Sequence, residues 1–128
     1  MKTLVEFESD KFPPYEGEEA EINPDLWGKR LAEYLRDRLP DYGLTVTGIG
    51  AEDWGWRVEL ENDDFPLWIG CGHRNDGPDA FLCFIEPSKP NIRKWFKKID
   101  TSTRVAYAVD ALKQLIESDS DIHAIEWP

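Results

Sequence analysis

Both cysteines of the chain and one of its two histidines lie close together in sequence, at Cys71, His73 and Cys83. Thiolates and imidazoles are the usual ligands of zinc, so these side chains are weak candidates for a metal site. A structural zinc site has four ligands, no fourth ligand is evident here, and the spacing matches no zinc-finger or zinc-ribbon pattern. Cys and His also pack well inside aromatic cores. The sequence therefore favours a packed, reduced cysteine pair with no metal or other cofactor.

Cys71 and His73 are also the residue types of a nucleophile and its base. Side chains two residues apart on a strand are separated by about 6.5–7 Å, too far for direct proton transfer. Cys71 and Cys83 are candidates for a disulfide, but the chain begins without a signal peptide and has no membrane-spanning apolar run. We therefore expect a cytoplasmic protein with reduced thiols.

Two acids precede two tryptophans in the string Glu52-Asp53-Trp54-Gly55-Trp56. Paired carboxylates beside Trp occur where sugars bind or where acid–base chemistry takes place. Neighbouring residues of a strand point to opposite faces, so the same string also predicts a solvated turn followed by core aromatics. The chain has no phosphate-binding glycine loop, HExxH, GxSxG or dinucleotide-binding motif.

Charge is distributed unevenly along the chain, which has a net charge of −11. Residues 6–25 hold eight acidic residues and one basic residue, whereas residues 89–104 hold six basic residues and Asp100. The acidic excess argues against nucleic acid and anionic membranes as partners, and is compatible with a basic protein partner or a homodimer. Both segments are expected to be solvated surfaces, or alternatively an acidic arm and a basic patch for oppositely charged partners.

The helices and strands expected from the sequence indicate a single α+β domain over residues 1–128. The expected order is β-α-β-β-β-β-α-α-β, an antiparallel sheet with helices mainly on one face. Asn23 and Pro24 are expected to start the first helix, Asn91 to cap a short helix ending near Lys98, and residues 100–102 to cap the last helix. Strands are predicted at 3–8, 44–50, 54–61, 67–74, 80–86 and 121–127.

Turn signals at residues 62–64 and around Gly77 fix the register of the three central strands. Trp56 is expected to lie opposite Cys71, Cys71 opposite Cys83, and Gly48 opposite Trp56. This register gives one apolar face, which we assign to the helices. Its members are Val46, Gly48, Trp54, Trp56, Val58, Leu60, Leu67, Ile69, Cys71, His73, Phe81, Cys83 and Ile85.

The opposite face of the same strands is mixed rather than polar. Two outcomes are open for it. Either the loop of residues 10–21 or a terminal segment covers the patch, since monomers rarely expose large apolar patches, or the patch is a binding or dimer surface with Trp and Arg anchors. The members of this face are Arg57, Glu59, Trp68, Gly70, Gly72, Arg74, Leu82 and Phe84. The candidate partner-binding residues are Trp68, Arg74, Leu82, Phe84, Arg57, Trp54 and Glu52.

Three strings of the chain resemble a group of small bacterial proteins to which no function is attached. They are residues 52–56 (EDWGW), 68–72 (WIGCG) and 81–87 (FLCFIEP). The resemblance implies a bacterial cytoplasmic protein and brings no activity and no site residues.

The charge, the aromatic second face and the lack of a catalytic motif lead to one main hypothesis. It is a non-enzymatic acidic protein-binding module, such as a toxin-immunity-like neutraliser or an adaptor. One alternative is a small enzyme or ligand-binding domain whose pocket is lined by Trp54, Trp56, His73 and Glu52. Another is a nucleic-acid mimic, with carboxylates spaced like phosphates along one ridge.

Overall fold

The computed structural model describes all residues from Met1 to Pro128 and confirms the α+β fold. The helices are α1 (Glu18–Glu21), α2 (Lys29–Arg38), which continues into a 3-10 turn at Leu39–Tyr42, and α3 (Ser102–Ser118). The strands are β1 (Leu4–Glu8), β2 (Val46–Glu52), β3 (Gly55–Leu60), β4 (Leu67–His73), β5 (Ala80–Glu86), β6 (Asn91–Lys94), β7 (Lys97–Asp100) and β8 (His123–Glu126). No helix has both the length and the apolar composition needed to cross a membrane.

Six strands form one antiparallel sheet in the order β2-β3-β4-β5-β1-β8, and β6 pairs only with β7. The first strand of the chain therefore lies between β5 and β8. Trp56 lies opposite Cys71 and Cys71 opposite Cys83, which confirms the predicted register of the three central strands.

The inner face of the sheet packs against α2 and α3 and forms the core. Leu31 and Leu35 of α2 and Leu112 and Ile116 of α3 are buried against it, at the helical spacing expected for a single apolar stripe. The long loop after β1 joins the same side, because Phe12 packs edge-on against Phe81 of the inner face. The loop therefore leaves the outer face of the sheet free.

The predicted register of β2 is wrong. Ala51 lies opposite Trp56, because the β2–β3 turn consists of residues 53 and 54 rather than 51–53. Gly48 lies opposite Glu59, because the ladder also shifts by one residue between Val46 and Gly48. Such a bulge is invisible to a period-two pattern, and it moves Gly48 to the outer face.

Trp54 is likewise not an inner-face residue. It lies in the two-residue turn between β2 and β3, outside the regular alternation, and packs against Trp68 on the outer face.

The predicted start of the first long helix at Asn23 and Pro24 is also wrong, because α2 begins at Lys29. Asn23 instead forms an isolated bridge with Leu26, and Asp25 has a φ of 66°, which no helix contains. At the start of α2, the backbone amides of Gly28 and Lys29 donate hydrogen bonds to the carboxylate of Glu18. Glu18 belongs to the short helix α1, which was not predicted from the sequence.

The predicted short helix from Asn91 is a β-hairpin. Ile92 lies opposite Ile99, both half-buried against the core, and the strands are joined by a turn at Trp95 and Phe96. The residue type at position 91 favours a helix cap, but the pairing of these two isoleucines across the hairpin holds the segment in extended backbone.

Candidate functional site

An open cleft of about 280 Å³ lies on the outer face of β4 and β5. The large apolar side chains that line it are half-buried, so part of each remains accessible to solvent in the cleft. The cleft is lined by Trp54, Trp68, Gly72, His73, Leu82, Phe84 and Glu86. We call this surface the outer cleft.

Three aromatic rings form the wall of the outer cleft. The ring centroids of Trp54 and Trp68 are 5.9 Å apart, and that of Phe84 lies 5.1 Å from Trp54 and 5.6 Å from Trp68. Tilted and edge-on pairs at these distances are favourable, which holds the three rings in place. The cluster is therefore an organised aromatic surface rather than scattered exposed residues.

Gly70 provides the floor on which Phe84 rests. A Cβ atom at position 70 would lie 2.2 Å from the Phe84 ring, closer than any real contact, so only glycine admits the ring there. A glycine inside a strand often marks the close approach of another group. The structure identifies the approaching group as Phe84.

A cation and a carboxylate border the aromatic wall. The guanidinium carbon of Arg57 lies 4.1 Å from the centroid of the Trp68 ring, within cation–π range, and Arg57 also pairs with Glu59. On the neighbouring strand, Glu86 lies opposite Trp68 and accepts a hydrogen bond from the amide of Ser88 at 3.2 Å. The outer cleft thus combines an apolar wall with charged edges.

Two predicted partner-binding residues lie outside the outer cleft. Arg74 is engaged elsewhere, because its Nη1 lies 2.6 Å from a carboxylate oxygen of Glu6 and 3.0 Å from one of Asp76. Glu52 ends β2 and lines a separate shallow groove beside Arg57. Arg74 therefore ties the end of β4 to β1. Trp68, Leu82, Phe84 and Trp54 line the outer cleft, and Arg57 lies at its border over the Trp68 ring.

The two thiols are buried side by side on the inner face and are not bonded to each other. Burial raises the pKa of the Cys71 thiol well above its ordinary value, with a smaller contribution from the neighbouring Cys83. A buried thiol of raised pKa is a poor nucleophile, since the thiolate is the reactive form.

His73 uses both ring nitrogens within the fold. Nδ1 lies 3.0 Å from the carbonyl oxygen of Asp25, Nε2 lies 2.7 Å from that of Gly77, and the ring stacks on Trp27 at 3.5 Å. No group of three or more His, Cys, Asp or Glu side chains is arranged to hold a metal ion. The imidazole therefore joins two loops and packs beside Phe81 on the inner face, while His73 contributes to the lining of the outer cleft as a residue of β4.

The pocket proposed from Trp54, Trp56, His73 and Glu52 is not assembled around one cavity. Trp56 is buried on the inner face, where its Nε1 donates a hydrogen bond of 3.0 Å to Glu18. A larger depression of about 410 Å³ at the β3–β4 turn has no apolar lining residue and offers no anchor of comparable kind. Sequence analysis missed Glu86 as a cleft residue, although its spacing of two from Phe84 places both on one face.

No protein-family model, no curated protein and no solved structure matches this chain. The functional argument therefore depends on the geometry of the outer cleft and on the charges around it.

Proposed function

We propose that this protein is a non-enzymatic binding module that holds a protein partner in the outer cleft, as a toxin-immunity-like neutraliser or an adaptor does. The observation that carries the proposal is the uncovered cluster of Trp54, Trp68 and Phe84 beside Arg57. Tryptophan and arginine dominate the energetic centres of protein interfaces, because both bury a large surface and keep a polar handle.

The polar groups of the outer cleft favour binding over catalysis. The titratable residues that line it are His73 and Glu86. Both nitrogens of His73 face backbone carbonyl oxygens, so the imidazole has no free position. Glu86 accepts one backbone amide through Oε2 and keeps its other oxygen for a partner's cation. A general acid or base must have a free position within hydrogen-bond reach of its substrate. The partner is accordingly expected to contribute an apolar anchor for the aromatic wall and a cation for Glu86.

A photo-crosslinking experiment tests this proposal. A benzophenone amino acid replaces Leu82 in the outer cleft, or Tyr107 on α3 as a matched exposed control. In cells that naturally produce the protein, illumination is expected to give a discrete adduct from position 82 only. Adding W68A is expected to weaken the contact by ~30-fold or more, since a central Trp contributes at least about 2 kcal/mol.

One control separates loss of the contact from loss of the fold. The far-ultraviolet circular dichroism of each variant must match that of the wild type. An absence of adducts from position 82, or the same adducts from positions 82 and 107, would contradict the proposal.

A further inference from the structure

The turn between β6 and β7 exposes two large aromatic side chains. Trp95 is 88% exposed and Phe96 is 98% exposed. The base of the hairpin is anchored, because Ile92 and Ile99 pack against the core and the amide of Thr101 donates to the carbonyl of Pro90 at 3.0 Å. The aromatic tip is therefore held out from the body in a defined position, although burial of apolar surface is strongly favourable.

The backbone of this turn is not well suited to tryptophan. Trp95 has a φ of 61°, in the left-handed region where glycine or asparagine is preferred in two-residue hairpin turns. Folding of the hairpin alone would favour glycine at this position. The indole is retained at a conformational cost, which points to a contact outside the isolated molecule.

The strands below the tip carry cations in opposed pairs. Arg93 lies directly opposite Lys98, and Lys94 lies directly opposite Lys97. Like charges in such positions destabilise a hairpin, and a carboxylate from outside would relieve the repulsion. Residues 89–104 hold six basic residues and one acidic residue, whereas the rest of the chain holds nine basic and twenty-five acidic residues. The body of this same protein is thus complementary in charge to its own hairpin.

We propose that the aromatic tip of one copy docks into the outer cleft of a second copy; this inference rests on the proposed function, because it names the occupant of the same cleft. The wall formed by Trp54, Trp68 and Phe84 receives Trp95, and Glu86 faces the cations of the hairpin. Within one molecule the tip is exposed and the outer cleft is open, so the contact forms between two molecules. A two-fold pair makes this contact twice.

The size of the contact sets its strength. One aromatic side chain buries roughly 150–250 Å². If Trp95 of each tip is the docked side chain, two indoles together with the cleft surface they cover bury roughly 600–1,000 Å², less than the roughly 1,200–2,000 Å² of a standard stable interface. The association is expected to be reversible, with a dissociation constant between ~10 μM and ~1 mM.

Sedimentation velocity of the purified full chain, from ~1 μM to ~1 mM, tests the proposal. The wild type is expected to shift from monomer to dimer with concentration. The double variant W95A/F96A and the cleft variant W68A are each expected to weaken dimerisation at least tenfold. An equimolar mixture of these two variants is expected to associate more strongly than either variant alone but more weakly than the wild type, because the mixed pair has one intact tip in one intact cleft rather than two such contacts.

Control variants separate docking from loss of folding. Y107A removes an exposed aromatic side chain on α3 and is expected to dimerise like the wild type. W95G removes the indole in a residue type that the turn prefers, so it is expected to fold at least as well and still lose the dimer.

A wild type that stays monomeric at every concentration overturns this inference, as does a dimer that W95A/F96A leaves intact. Binding of the monomer to vesicles containing anionic lipid, lost in W95A/F96A, would instead assign the hairpin to a lipid surface. The protein could instead be monomeric while position 82 still gives an adduct with another protein in cells, and W68A removes that adduct. In that case the proposed function stands without self-association. If the purified protein is monomeric and position 82 gives no adduct in cells, both proposals fail.

Discussion

At the scale of single residues, Glu18 is the acid whose role departs most from what its surroundings in the sequence suggest. It belongs to a run of surface acids, yet its side chain is buried, with 3% of its surface exposed. One carboxylate oxygen accepts hydrogen bonds from the amides of Gly28 and Lys29 at 2.7 and 2.9 Å and from Trp56 Nε1 at 3.0 Å. The other oxygen accepts the amide of Tyr15 at 3.0 Å. An ionised carboxylate offers only acceptors, so it suits four converging donors.

We therefore expect E18Q to destabilise the protein by about 2 kcal/mol, because the new amide group places donors against donors. The control is E16Q, at an exposed acid of the same segment. Urea unfolding followed by circular dichroism gives the free energy of unfolding of both variants. Equal stabilities for E18Q and E16Q would contradict the structural role of Glu18.

At the scale of elements, Gly55 shows how the β2–β3 turn is attached to the next strand. Its φ is 153°, and a Cβ atom there would lie 2.3 Å from the carbonyl oxygen of Cys71. Backbone cannot yield as a side chain can, so this glycine sets how closely the start of β3 approaches β4. It also allows Trp54, which precedes it, to turn to the outer face.

We expect G55A to lower the free energy of unfolding by about 3 kcal/mol, through the strained φ and the backbone clash. Gly50 of β2 is the matched control, since a Cβ atom there would meet nothing within 4 Å. Urea unfolding of G55A and G50A measures the difference. A G55A protein that is as stable as G50A would rule out the close approach.

The register of β4 and β5 could be predicted from the sequence, because alternation and turn length both reflect local geometry. The register of β2 could not, because a bulge adds one residue to one strand. The hairpin could not be predicted either, because Trp95 and Phe96 are unusual turn residues. The start of α2 depends on Glu18, ten residues earlier, and no local pattern encodes that contact. In the candidate site, the alternation along the strands correctly placed Trp68, Leu82 and Phe84 on one face. Trp54 reaches the same face because it lies in the β2–β3 turn, where the alternation does not apply.

At the scale of the whole molecule, Asp119 connects three segments that are distant in the chain. One of its carboxylate oxygens lies 2.6 Å from Lys11 Nζ, in the loop after β1, and 2.7 Å from the hydroxyl of Tyr34 on α2. Partial burial acts to raise the pKa of Asp119, but hydrogen bonds from Lys11, Tyr34 and the amide of Asp121 outweigh it and lower the pKa to about 2. Burial, together with Asp119, raises the pKa of the Tyr34 hydroxyl.

This lowered pKa predicts a pH-dependent contribution to stability. A carboxyl whose pKa falls on folding stabilises the protein above its unfolded pKa of about 3.8, and the effect is lost as the pH falls toward 2. The free energy of unfolding of the wild type is therefore expected to exceed that of D119N by about 1 kcal/mol at neutral pH. This figure allows for the screening of the charge by solvent. The difference should shrink between pH 4 and pH 2.

Thermal and urea unfolding across this pH range measure the difference between wild type and D119N. D121N, at an exposed acid whose side chain is not part of the connection, serves as the control. A D119N deficit that stays constant down to pH 2 would show that the carboxylate charge is not what connects the three segments.

The position of β1 in the sheet has a consequence for biosynthesis. Val5 and Phe7 of β1 are fully buried in the folded protein, and they pair with Cys83 and Phe81 of β5. At roughly 5–20 residues per second, the ribosome delivers β5 several seconds or more after β1. During that interval β5 is not available to pair with β1, so the apolar side chains of Val5 and Phe7 stay exposed on the nascent chain. We expect chaperones to bind the nascent chain until β5 emerges from the ribosome. We also expect the sheet to be completed late, when β1 inserts beside β5.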